Sequence, residues 1–541
     1  MMKDKTMNQT EIEKLEAVFA EYRRDDAPGV VVSVQRNGKT LLRRGFGLAS
    51  LESGLVNTPS TKMRIGSTTK HFACVLALML RDEGRLSIDE PVSRWLPELP
   101  PSQGSRTLRQ FMTHTGGTRD YLDLSLISNG MSMVPANGAF EYQCRQQSEN
   151  FAPGELFIYN NGGYRMMSMV IERVLGMPLA QALRERLFEP LSMHDTSLWA
   201  SDLDPLPGVA QTHMALPKGG FAKGVFPAVI LGEGGIASTL DDMQRWLSHL
   251  SSPTLWPQSL SDELKAPTTL NNGYVNRYGK GLIAETWRGV RIFHHAGGVV
   301  GGNCQMLAAP DHGIQIIAMT NRSDADTPGL AEKLLVALIE ESLLPVDVPA
   351  DPELAKTLGG DYHCPTSGRY FSIARIDDGL VLKNFGMPLP LTVAEDGALR
   401  VNLLSVIALQ VAPVPNGQGE AHAIDVTEQG WRHRCERIAP ADKAAQTLAP
   451  FSGRWRSEEI AAQIVIGGEQ ADAMHVSGRY GSSTFKLEPL LPDTCLLLSV
   501  DPVVPMNGTL RLTRNEHGQR QLVLDTARTR RLTLLEVADH G

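Results

Sequence analysis

A serine hydroxyl is a weak nucleophile until a neighbouring base takes its proton. In Gly66-Ser67-Thr68-Thr69-Lys70-His71-Phe72 a candidate base follows the serine by three positions, and that spacing on a helix puts Ser67 and Lys70 on one face. Ser67 stands where a loop enters a strongly apolar helical run, at the positive end of the helix, which favours a developing oxyanion. A partly desolvated lysine loses its proton and can serve as the base. The chemistry this pair suits is acyl transfer through a covalent serine intermediate. The pair alone is a weak signal, because Ser-x-x-Lys arises about once or twice by chance in a chain of this length. A second copy, Ser483-Thr-Phe-Lys486, lies in an alternating, strand-like stretch where positions three apart face opposite sides. The competing reading of Ser67 is a helix N-cap.

Two further groups add to the pair. Tyr159-Asn160-Asn161 follows Pro153-Gly154 and offers a phenol for proton transfer and an amide to hold substrate. His295-Ala296-Gly297-Gly298 follows a strand-like run, and its small residues let a substrate lie edge-on against the backbone. Each pattern has a decoy: Tyr274-Val-Asn276 for the first, His114-Thr-Gly116 for the second.

These residues need a scaffold. Thr10 to Arg24 reads as an amphipathic helix, with Thr10 and Glu13 as a capping box. Two β-rich runs flank Asn37-Gly38 and predict a hairpin. Helical patterns follow, including His71 to Glu83 and Tyr164 to Val174, and then strand-like runs from Val290, Cys304 and Ile314 and a helix over Gly329 to Leu343. Strands at both ends with helices between predict one α+β domain over residues 1–343. Three prolines within 344–352 predict a linker over 344–357. Short alternating runs separated by Gly, Pro, Asp and Asn then predict two antiparallel β-barrels, at 358–441 and 446–541, opened alike by Gly360-Asp-Tyr362 and Gly453-Arg-Trp455.

Composition narrows the class of function. The chain has 541 residues, 42% apolar and 21% charged, as in an ordinary globular protein. With 52 Lys+Arg against 60 Asp+Glu the net charge is -8, so no basic surplus exists to neutralise nucleic acid. Apolar runs such as Cys74 to Leu80 fall far short of a membrane span. The polar first ten residues do not read as a signal peptide, and six scattered cysteines without a Cys-x-x-Cys pair suggest neither a zinc knot nor a disulfide scaffold. The expected location is cytoplasmic, with no nucleic-acid or membrane partner.

In order and spacing, Ser67-x-x-Lys70, Tyr159-x-Asn161 and His295-x-Gly297 resemble the serine β-lactamase/penicillin-binding-protein superfamily. Phe111-Met-Thr-His-Thr-Gly-Gly117, Pro190-Leu-Ser-Met-His-Asp-Thr196 and Gly234-Gly-Ile-Ala-Ser-Thr-Leu240 are similar to its other landmarks, so the resemblance spans about residues 10 to 340. Lys70-His71-Phe72-Ala73-Cys74, Arg119-Asp120-Tyr121, Tyr159-Asn160-Asn161-Gly162 and the β-rich end of the chain resemble its D-stereospecific aminopeptidase branch, which carries two β-barrels behind the catalytic domain.

The resemblance implies a serine aminopeptidase that releases N-terminal D-amino acids from small peptides, amides or esters, with no metal or cofactor, and a homodimer. Ser67 would be the nucleophile, with Lys70 and Tyr159 sharing the proton transfers in an order left open. The backbone N–H groups of Ser67 and Gly298 would hold the oxyanion, and Asn161 and Gly297 would line the substrate. Penicillin-type enzymes commonly have lysine where His295 stands; a largely neutral histidine repels a free ammonium less. An aminopeptidase also needs a carboxylate for that ammonium. In the branch a loop of the last barrel supplies it, and the matching stretch, Leu498 to Gly508, contains one acid, Asp501. The alternatives are an esterase or penicillin-recognising DD-carboxypeptidase on the same scaffold, and a non-catalytic protein whose barrels hold an apolar ligand.

Overall fold

The Asn37-Gly38 turn joins β1 (Val30–Arg36) to β2 (Lys39–Phe46), and both turn residues have positive φ, 52° and 75°, as a two-residue hairpin with the right strand twist requires. In this computed structural model, which describes residues 9–385, 387–415, 421–501 and 506–537, that hairpin is the edge of a six-stranded antiparallel sheet. The other strands come from the far end of the α+β domain: β3 (Ile283–Trp287), β4 (Val290–Val299), β5 (Gly302–Ala309) and β6 (Ile314–Thr320), in the order β3-β4-β5-β6-β1-β2. β1 pairs with β6 from Val30↔Thr320 to Arg36↔Ile314, closing the domain on itself.

The helices that position the site and cover the sheet are α1 (Gln9–Ala17), α2 (Lys70–Asp82), α3 (Tyr121–Asn129), α4 (Gly138–Arg145), α5 (Asn161–Leu175), α6 (Leu240–Ser251) and α7 (Thr327–Ile339). Both faces of the sheet are covered, so its central strands carry buried apolar residues on both faces rather than on one. Val30, Val32, Val34, Ile314 and Ile316 pack with Leu15 of α1 and Leu334 of α7. Val31, Ile317 and Met319 point the other way, into a core with Phe72, Val75, Met167 and Trp246 of α2, α5 and α6. Thr10 lies inside α1 rather than at its cap, which corrects the capping box; the helix is shorter than expected and continues as a 3₁₀ turn at Ala20–Tyr22.

The proline-rich stretch is partly structured. Val348–Pro349 pair with Thr392–Val393 and open the first barrel's ten-stranded antiparallel sheet, and Pro352–Leu354 and Ala355–Leu358 form helical turns. The second barrel closes from Gly453–Ser457 round to Leu532–Glu536. Its interior is filled by its own side chains, including Trp455, Phe485 and Leu510, and the first barrel's by Tyr362, Phe371 and Ile424. Filled interiors leave little for the reading in which the barrels hold an apolar ligand. The second barrel's core runs on into Tyr121, Leu124 and Ile127 of α3 and Ala139 and Tyr142 of α4, so this barrel docks on the α+β domain through buried apolar surface. Ser483 donates to the carbonyl of Ile127 in that contact while Lys486 pairs with Glu488, so the second Ser-x-x-Lys copy is structural.

Candidate active site

Ser67 lies on the 3₁₀ turn Gly66–Thr69 that leads into α2. The turn and β4 meet backbone to backbone. Gly66 has φ +52°, and a Cβ there would stand 2.7 Å from the Gly298 nitrogen; one on Gly297 would stand 1.8 Å from the Ile65 carbonyl oxygen. Only glycine allows this approach. Thr68 Oγ1 donates to the His295 carbonyl at 3.4 Å and ties the turn to the strand. Beyond His294, β4 has β5 on one side and no β3 partner on the other. The edge of β4 from His295 onward is therefore not paired to β3.

Lys70 is fully buried, with Nζ 3.0 Å from Ser67 Oγ, 2.9 Å from Asn161 Oδ1 and 2.6 Å from the Glu233 carbonyl. Burial pulls it down to about 7, against the opposing carboxylates of Glu233 and Asp120. A neutral amine has two N–H donors and one lone pair. Here the two donors match the carbonyl oxygens of Asn161 and Glu233, and the lone pair is left to accept the Ser67 proton.

Asn161 begins α5, capped by Asn160, whose side chain accepts from Gly163 N. Asn161 Nδ2 donates to Asp120 Oδ2 at 2.8 Å, which fixes the amide so that its oxygen faces Lys70. Asp120 is fully buried and caps α3 by accepting from Leu122 N. The neighbouring Tyr121 donates to Glu233 Oε1 at 2.9 Å, and Arg165 stands 3.5 Å from the same oxygen.

The Tyr159 hydroxyl is buried and makes no hydrogen bond within the described residues. Burial pushes the phenol above its usual range. Lys70 Nζ lies 4.8 Å from its ring centroid, and the ring of His114 packs at 4.2 Å. His114 Nδ1 accepts from Asn160 N, so the supposed decoy belongs to the wall that holds Tyr159.

His295 differs from the expectation. Its ring is buried, Nδ1 donates to the Ala296 carbonyl at 2.6 Å, and Nε2 therefore accepts from Tyr278 OH at 3.0 Å. Burial, aided by Lys70, pulls it down to about 3, so the imidazole is neutral. With both nitrogens engaged inside the protein, the ring has no free nitrogen to turn to a substrate. Tyr278 N donates to Asn276 Oδ1, and Asn276 Nδ2 donates to Gln429 Oε1 of the first barrel. The tyrosine-asparagine decoy thus links that barrel to the back of the site.

The second barrel reaches the site through the turn after Arg520–Thr526. Arg528 lies with its guanidinium 5.4 Å from the Tyr159 ring centroid and 3.4 Å from Asp120 Oδ2. Thr526 and Thr529 donate to Asp123 at 2.6 and 2.5 Å, and Arg119 donates to the carbonyls of Arg530 and Arg531. Sequence reasoning assigned no role to Arg528, Asp120, Glu233 or Tyr278. The signals visible in the sequence are the motif Arg119-Asp120-Tyr121 and the three arginines in Thr526-Ala-Arg-Thr-Arg-Arg531. Asp501 follows the strand Thr494–Ser499, with its backbone paired to the Ser499 hydroxyl; residues 502–505 of its loop lie outside the described residues. The loop's far end is anchored by Asn507 Nδ2 donating to the Phe385 carbonyl, and the Phe385 ring faces Arg530, two residues from Arg528.

A cavity of about 890 Å³ lies elsewhere, between the α+β domain and the first barrel, lined by Arg277, Glu285, Arg288, Asp347 and Arg400 among others and not by Ser67, Lys70, Tyr159, Asn161 or His295. The geometry at Ser67, not cavity size, marks the site.

Known proteins share this architecture. The chain is 26% identical over 450 residues to a D-aminopeptidase of Brucella melitensis, covering 82% of each chain. It is 26% identical over 499 residues to a D-aminopeptidase of Cereibacter sphaeroides, covering 90% of this chain and 92% of that one. The octameric penicillin-binding protein homologue from Pyrococcus abyssi superposes with a TM-score of 0.56 at 18% identity, covering 98% of this chain and 100% of that one, and so shares the fold. The beta-lactamase family model matches residues 15–341, which contain Ser67, Lys70, Tyr159 and the strand bearing Gly298, and the chain belongs to the beta-lactamase family.

Proposed function

We propose that this protein is a serine aminopeptidase that releases N-terminal D-amino acids from small peptides, amides or esters. The observation that carries the hydrolase chemistry is Lys70 Nζ at 3.0 Å from Ser67 Oγ with its two donor sites matched by Asn161 and Glu233. The similarity to D-aminopeptidases reaches well past the catalytic domain into the barrels and supports that substrate class over the esterase and carboxypeptidase readings.

Ser67 attacks the scissile carbonyl as its proton passes to neutral Lys70. The N–H groups of Ser67 and Gly298, brought together by the glycine contacts, hold the oxyanion. Tyr159, kept as a neutral phenol by burial, gives its proton to the leaving amine and recovers one from Lys70. Water then takes the acyl group from Ser67. The contrast between a lowered Lys70 and a raised Tyr159 supports lysine as the first base.

Hydrolysis of D-alanine amide by the purified protein should exceed that of L-alanine amide by at least about 10²-fold, the discrimination expected when one stereoisomer misplaces its carbonyl. Equal rates, or a preference for the L form, would overturn the assignment. Recognition of the ammonium is assigned to Asp501, on the loop of the docked barrel. Asp501→Ala should weaken hydrolysis of free-amine substrates about 10- to 100-fold while sparing N-acylated ones. Equal losses on both would remove that role from the loop.

A further inference from the structure

The first barrel contains a chemical feature that the hydrolase reaction does not use. Its strand Gly360–His363 pairs antiparallel with Trp431–Ile438 as Asp361↔Ile438, Tyr362↔Arg437 and His363↔Glu436. One step further in the same register, Cys364 faces Cys435. Cys364 N donates to the Arg369 carbonyl at 2.8 Å, and Gly368 N donates to the Cys364 carbonyl at 2.9 Å. Both backbone groups of Cys364 therefore point to the strand on its other side. That makes Cys364 and Cys435 a non-hydrogen-bonded cross-strand pair, the kind with Cα atoms about 4.5 Å apart and side chains closest together. A disulfide needs Cα atoms about 4.4–6.8 Å apart. Both side chains lie in the same apolar core, at 1% and 0% exposure, so they leave the sheet on the same face.

The other four cysteines are dispersed over α2, α4, β5 and the second barrel, and all six are free thiols in this structure. Cys364 also has polar company: Thr366 Oγ1 lies 3.3 Å from its sulfur. The Cys435 thiol, with His433, Ser367 and Thr366, holds the Cys364 thiol below its usual range despite burial. Cys364 in turn, together with burial, pushes Cys435 up. In a disulfide-forming pair one thiol attacks the oxidant and the other resolves the product, and the register here places the two side by side.

We propose that Cys364 and Cys435 are a reversible disulfide site that staples the first barrel when the protein meets a peroxide. The Cys364 thiolate attacks one peroxide oxygen, the O–O bond breaks, and the departing hydroxide takes up the Cys364 proton to leave as water. Cys435 then attacks the Cys364 sulfenic sulfur, and the hydroxide displaced takes the Cys435 proton to give a second water. Two thiols become one disulfide and one peroxide becomes two waters. A dithiol reductant reverses the change. The bond would close nearly the whole barrel, residues 364 to 435, into one covalent loop, and long loops restrict the unfolded chain most.

The test uses the full-length protein treated with hydrogen peroxide, denatured, alkylated and digested without reduction. Mass spectrometry should find a peptide joining Cys364 to Cys435 that disappears with dithiothreitol, while Cys74, Cys144, Cys304 and Cys495 are alkylated. The barrel's thermal transition should rise by about 5–15 °C on oxidation and return on reduction. Cys364→Ala and Cys435→Ala should each abolish the rise. The proposal is overturned if both cysteines remain alkylated after peroxide, if Cys364 ends as a sulfinic acid with no link, or if the rise persists in Cys364→Ala. Should neither variant fold, the wild-type peptide map decides alone.

Discussion

Lys70→Ala and Ser67→Ala should each lower kcat/KM on a D-amino-acid amide by about 10⁴- to 10⁶-fold, and the double variant should lose no more than either single one. The reason is that the two side chains form one device. Without Lys70 the Ser67 hydroxyl has no acceptor within reach at neutral pH, since the Tyr159 phenol is held protonated by burial. Without Ser67 the amine has nothing to activate. Multiplying losses in the double variant would show that the residues act separately. The wild-type pH profile carries the same information. Lys70 titrates at about 7 and is active when neutral, so kcat/KM should rise with pH through about 7 and then level off. A rate that falls through that range would require protonated Lys70 and a different base. The lowered value also bears on stability. Between about 7 and the ordinary lysine value the unfolded chain binds the proton that the folded one has released, so this group's contribution to stability improves as pH rises through that window. The desolvation cost of the buried ammonium is present in full below it.

The second large effect concerns Asp120, which acts through three other side chains. Its carboxylate holds Asn161 at 2.8 Å, pairs with Arg528 at 3.4 Å and opposes the lowering of Lys70. Asp120→Ala should release the Asn161 amide, leave Arg528 unpaired beside Tyr159 and reduce kcat by about 10²-fold or more through misplacement of Lys70. Asp120→Asn keeps an oxygen for Asn161 Nδ2 and removes only the charge. Its loss in kcat should be several-fold smaller, while the acid limb of its pH profile moves to lower pH, because a carboxylate that raises Lys70 is gone. Identical kcat losses in the two variants, with an unmoved limb, would remove the positioning role and leave Asp120 as a helix cap alone.

Much of this site was legible in the chain. Ser67 and Lys70 sit three apart at the head of an almost wholly buried helix, and local geometry alone puts them together. The Asn37-Gly38 hairpin, the strands from Val290 onward and the change to barrels after the prolines were equally readable, because each follows from local periodicity and turn chemistry. His295 marks where such reading stopped. Its type and spacing are visible in the sequence, but a ring's partners depend on what the fold packs against it, and Tyr278 and the Ala296 carbonyl occupy both nitrogens.

Asp120, Glu233 and Arg528 show the same limit more sharply. Glu233 offers Lys70 a backbone carbonyl, which no residue type encodes, and Arg528 arrives from a barrel more than 400 positions away from its partner Asp120. The amino-acid sequence by itself determined which groups could react and which short segments would carry them, because propensity, spacing and turn preference act over a few residues. Tertiary structure alone decided that Lys70 has its two acceptors and a free lone pair, that burial rather than residue type brings it to about 7, and that a distant barrel supplies a cation to the rim of the site. Desolvation and partner geometry are properties of the packed neighbourhood, and that neighbourhood is assembled from segments hundreds of residues apart.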